Sequence, residues 1–77
     1  MVVATIEIGG MRAVHAARAV FTALSGVEGV QRAEVSLGRA VVWHDGRATA
    51  RLLTDAVELA GCEVLGIAEE RRSLPVL

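Results

Sequence analysis

The side chains in this sequence that could do chemistry are soft donors and imidazoles: the thioether of Met11, the imidazoles of His15 and His44, and the thiol of Cys62. Sulfur matches soft, polarisable ions, and imidazole serves zinc and copper alike. Each residue also has a plainer use. Methionine fills irregular gaps in apolar cores, and Cys62 reads equally well as a small buried residue where a strand begins. His15 reads as a weak imidazole ligand or as an exposed polar residue. His44 and Asp45 are adjacent, and the pair reads as a strand end running into a turn rather than as a site. Nothing composes an active site. There is no nucleophile with a base at a useful spacing, and no paired carboxylates in a cleft-forming pattern. Gly9-Gly10 ahead of a helix is too weak a signal for a phosphate cradle. The chain is therefore not expected to be an enzyme.

These residues need elements to position them. In residues 2–8, Ala4, Ile6 and Ile8 alternate with Thr5 and Glu7, the period of a half-buried strand. Gly9-Gly10 breaks it. From Arg12 to Ser25 the period becomes helical, with Ala13, Ala16, Ala17, Val20, Ala23 and Leu24 in one apolar stripe and Gly26 as its stop. After Gly29, Ala33, Val35 and Leu37 alternate with Arg32, Glu34 and Ser36. Gly38-Arg39 is a short turn, and residues 40–44 return as a hairpin partner. Thr49, Leu52, Leu53, Ala56, Val57 and Ala60 predict a second amphipathic helix, closed by Gly61. Residues 62–68 form a last strand.

The order is βαββαβ, an α+β class. Two helices must bury their stripes on one face of a four-stranded antiparallel sheet, which is the ferredoxin-like arrangement. The reading gives one domain over residues 1–68, with residues 69–77 as a tail or the start of a linker. Chain direction puts the loop after the first strand, the turn at Gly38 and the Gly61-Cys62 loop at one end of the sheet. His44 and Asp45 fall at the other end. Val41 and Trp43 fall on the sheet face away from the helices, where an apolar pair marks either a self-association surface or ordinary solvated sheet.

Bulk composition narrows the function classes. The chain has 77 residues, 53% of them hydrophobic, which suits one thin packed core. A net charge of −1 argues against a protein that embraces nucleic acid phosphates. The first strand also lacks the aromatics that an RNA-stacking sheet of this topology uses. The single cysteine excludes an internal disulfide and fits a reducing compartment. No apolar run is long enough to span a bilayer, and no leader pattern is present, so a cytoplasmic location without membrane insertion is expected.

The stretch Gly10-Met11-Arg12-Ala13-Val14-His15-Ala16, followed by Val20 and Leu24, resembles the metal loop of the heavy-metal-associated (HMA) domain. That family includes copper chaperones, mercury-binding proteins and the metal-binding domains of P-type ATPases. Its loop reads Gly-Met-x-Cys-x-x-Cys, often with His before the second Cys, then Val four and Leu eight residues on. Gly10, Met11, His15, Val20 and Leu24 all match. The resemblance continues through Gly29-Val30, the hairpin and Ala56-Val57 to Gly61, and covers roughly Val3 to Ala68.

The two cysteine positions are Ala13 and Ala16. A Cys-x-x-Cys pair at a helix start puts two sulfurs within reach of one ion, and the helix dipole favours their thiolate form. A methyl group has no lone pair. The resemblance therefore implies a soft-metal trafficking domain in a metal-incompetent form, with Ala13 and Ala16 as vacated ligand positions. Gly10 and Met11 then support the loop, Met11 by filling the core beneath it, and His15 and Cys62 remain as weak residual ligands. The thiols were either shed naturally or replaced deliberately, and both origins stay open. No cofactor is expected in this form; a parent with both cysteines would hold Cu(I), Zn(II) or Hg(II). The implied partner is another HMA-type domain, such as that of a metal-transporting ATPase. The alternative is a metal-independent interaction module on the same scaffold, including a weak homodimer.

Overall fold

The computed structural model describes residues 1–10 and 14–71. Its elements follow in the order β1 (Val2–Gly9), α1 (Val14–Ser25), β2 (Val30–Ser36), β3 (Arg39–His44), α2 (Ala50–Leu59) and β4 (Glu63–Arg71). The sheet runs β2-β3-β1-β4, and each neighbouring pair is antiparallel. This is the ferredoxin-like arrangement that the periodicities imply.

The strand period sets the two faces. Ala4, Ile6 and Ile8 of β1 are buried on the same side as Ala40 and Val42 of β3. Val20 and Leu24 of α1 and Leu53, Ala56 and Val57 of α2 close the cluster from the other side. Each large aliphatic side chain buried there stabilises the fold by roughly 1.5–3 kcal/mol relative to exposure. α1 packs on β2 and α2 on β4, with the two helices against each other.

Strand register decides which loops meet. The Ile8 N–H donates to the Gly38 carbonyl at 2.9 Å, which ties the hairpin turn to the end of β1. Gly9 pairs with Glu63, which brings Gly61 and Cys62 to the same end. His44 pairs with Val2 at the opposite end.

Several sequence expectations are corrected. Residues 69–71, read from their charge as the start of a tail, continue β4, because Glu69, Glu70 and Arg71 pair with Ala4, Val3 and Val2. Residues 72–77 lie outside the described residues. Leu37, expected on the buried side of β2, is exposed, since the strand ends at Ser36 and the turn begins there. Leu52, expected in the α2 stripe, is 45% exposed; the buried stripe is Leu53, Ala56 and Val57. Leu65 is exposed because a register shift opposite Glu7 and Ile8 leaves it without a partner, as a β-bulge does.

The loop between α1 and β2 depends on a glycine. Gly29 has φ +93°, and a Cβ there would lie 2.5 Å from Asp45 Oδ1. The Gly29 carbonyl accepts the Asp45 N–H at 3.1 Å, so backbone approaches backbone where no side chain fits.

Candidate metal-loop end

Gly10 opens the loop with φ +80°, a conformation that favours glycine. The chain then enters α1 at Val14. Met11 and Ala13, singled out above as loop support and vacated ligand position, lie outside the described residues. His15 sits in the first turn of α1 and is exposed. Ala16, one residue on, is half-buried and packs against the core cluster. The helix geometry explains the difference, since successive residues point about a quarter-turn or more apart. Val20 and Leu24 continue the Ala16 face inward, and both are fully buried. They anchor the middle and end of α1 in the core.

Cys62 comes to this end from the other side of the chain. It follows Gly61, whose φ of +89° turns the chain out of α2, and its N–H donates to the Val57 carbonyl at 3.3 Å. The residue is a free cysteine, 8% exposed, and belongs to the core cluster with Ile8 and Val57. The fold thus gathers Gly10, the start of α1, the Leu37–Gly38 turn and Cys62 at one end. It leaves the His15 imidazole outward and the Cys62 thiol inward. Among the described residues, no three His, Cys, Asp or Glu side chains converge as a metal would require. Ala16 offers no donor atom where the helix turns toward the core.

The outward sheet face has its own chemistry. Val41 and Trp43 alternate with buried Ala40 and Val42 and so point away from the helices. The Arg32 guanidinium lies 5.2 Å from the Trp43 ring centroid, a cation–π contact. Arg32 also pairs with Glu34, and Arg39 with Glu7 at 2.9 Å. Val3, opposite Trp43 in the ladder, is buried although it is on this face.

His44 is the last residue of β3 and Asp45 follows it in a bend, the strand end and turn that the sequence implies. The imidazole is also buried, 1% exposed, on the side of Ala40 and Val42. That burial follows from period two, since Ala40, Val42 and His44 alternate in one strand.

No protein-family model matches this chain, and no curated protein matches it. Solved structures do. The fold and this loop end define a class: small ferredoxin-like domains with a glycine-led loop entering the first helix. A copper binding domain from HMA7, a P-type ATPase, is 32% identical with a TM-score of 0.81; the match covers 92% of this chain and 100% of that one. The CopZ metallochaperone is 31% identical with a TM-score of 0.75, over 79% of this chain and 96% of that one. The N-terminal domain of PacS from Synechocystis PCC6803 is 37% identical with a TM-score of 0.69, over 83% and 97%. This chain belongs to the heavy-metal-associated domain family.

Proposed function

We propose that this domain is a soft-metal trafficking scaffold of the copper type in a metal-incompetent form. Its neighbours are copper-binding and metallochaperone domains, so metal binding or trafficking is the family's work. The observation that carries the finer reading is Ala16, a methyl group on the inward side of the first helical turn where a trafficking loop needs a thiolate. Ala13 completes the vacated pair in the sequence, and Cys62 is the one thiol in the chain.

Two thiolates facing each other across a short loop suit soft Cu(I), and one buried thiol with an outward imidazole does not replace them. Residual affinity, if His15 and Cys62 supply it, is weak. The domain acts by docking rather than by catalysis, in the cytoplasm, against another HMA-type domain such as that of a metal-transporting ATPase. The docking end is the one bearing Gly10, the exposed Leu37 and Gly61.

The test is a Cu(I) titration against a competing chelator, on this chain and on the Ala13→Cys/Ala16→Cys variant. The variant takes the ion from the chelator and the unaltered chain does not. Equal affinity in the two proteins sinks the assignment of Ala13 and Ala16 as vacated ligand positions.

A further inference from the structure

The outward face of the sheet is a second surface, on the side opposite the helices, that the metal-loop end does not use. Strand register lays it out in rows across the order β2-β3-β1-β4. One row reads Arg32, Trp43, Val3 and Glu70. The next reads Glu34, Val41, Thr5 and Ala68. The third has Arg39 and Glu7 side by side at its centre. Thr5, Val41 and Trp43 are half-buried and Ala68 is exposed, so the middle of the face is apolar or uncharged and open.

The charges on this face complement themselves. A second copy can be laid on it face to face about a two-fold axis that runs along the strands, midway between β3 and β1. That axis keeps each row and exchanges β3 with β1 and β2 with β4. Arg32 of each copy then faces Glu70 of the other, and Arg39 faces Glu7. Val41 faces Thr5, Trp43 faces Val3, and Glu34 faces Ala68. Opposite charges meet and like charges do not. A two-fold axis across the strands fails this test, because it sets Glu34 against Glu34 of the other copy and Glu7 against Val3.

Covering the face strands neither guanidinium. Arg39 is already held by Glu7 at 2.9 Å, and Arg32 by Glu34 and the Trp43 ring. We propose that the outward sheet face joins two copies of this chain about the axis along the strands. Such a contact uses the same patch on both copies and closes at a dimer, with the two sheets roughly aligned. Rows about 7 Å apart and strands about 5 Å apart give a footprint of roughly 400 Å² per copy. That is the size of a weak, reversible contact, with a dissociation constant on the order of 0.1 mM or above. The contact takes no metal and does not depend on the reading of Ala13 and Ala16.

Sedimentation velocity of the full chain in metal-free buffer tests this, and its failure leaves the metal-loop reading untouched. The apparent mass rises toward that of a dimer between about 10 µM and about 1 mM. Arg32→Glu and Glu70→Arg, each alone, weaken association about tenfold or more, since like charges then face each other twice across the axis. An equimolar mixture of the two variants associates again, because each reversed charge meets its opposite on the other chain. A monomer at about 1 mM overturns the dimer. Association that survives either single reversal, or a mixture that stays monomeric, overturns this face and axis. NMR of the unaltered chain gives a reading that needs no variant. The amides of Thr5, Val41 and Ala68 shift with protein concentration, and shifts confined to the helices or to the loop end overturn the proposal.

Discussion

Asp45 organises the turn after β3 through one partner. Its Oδ1 accepts the Arg47 backbone N–H at 3.0 Å and its Oδ2 accepts the Arg47 side chain at 2.9 Å. The Arg47 side-chain hydrogen bond is the main cause holding the Asp45 carboxyl below the ordinary aspartate range. The sign follows from linkage. A carboxyl with a lowered folded-state pKa contributes stability above its unfolded value of about 3.9 and loses it as pH falls through the folded value. The advantage of the unaltered chain over Asp45→Asn in urea unfolding is therefore present at neutral pH and shrinks toward zero below about pH 4. It is small, since both partners are solvent-exposed. The reciprocal rise at Arg47 has no effect in this range, because a raised basic group loses its contribution only at strongly alkaline pH.

Among the elements, α2 carries the clearest local instruction. Thr49 has extended dihedrals, φ −66° and ψ 160°, and its hydroxyl accepts the Leu52 N–H at 3.3 Å, a helix N-cap. Thr49→Ala is expected to lower stability by about 1 kcal/mol, read as a shift in the urea midpoint with an unchanged slope. The helix still forms, because Leu53 and Val57 remain fully buried against the sheet. β4 shows the opposite balance. Its last residues, Glu69, Glu70 and Arg71, have little intrinsic strand preference, and pairing along β1 overrides it.

At the scale of the molecule, stability rests on a thin core shared by one sheet face and two helices. Ile6 lies at its middle, fully buried and paired with Ala40 on one side and Ile67 on the other. Truncation to Ala removes a large buried side chain from the core cluster and leaves a void. Ile6→Ala is expected to cost about 2–5 kcal/mol. That is a large share of the roughly 5–15 kcal/mol of a typical domain. Thermal unfolding followed by circular dichroism measures it, and a change below about 1 kcal/mol contradicts the assignment of Ile6 to the core centre.

The element order, the inward faces of β1 and β3, and the stripe of α1 were legible in the sequence because periodicity is local: each strand or helix announces its buried face within a few residues. The loop frame of Gly10, Met11, His15, Val20 and Leu24 came from its resemblance to the HMA loop rather than from periodicity. Register and burial were not, since they depend on which strands lie side by side. Pairing with β1 extended β4 to Arg71 and put Leu65 out on a bulge. The approach of Gly29 to Asp45 required the α1–β2 loop to meet the β3–α2 turn. His44 became a buried imidazole facing Glu69 only because the sheet order set β1, with its small Ala4, between β3 and β4. The sequence determined which residues alternate; the packing of distant strands decided which of them meet.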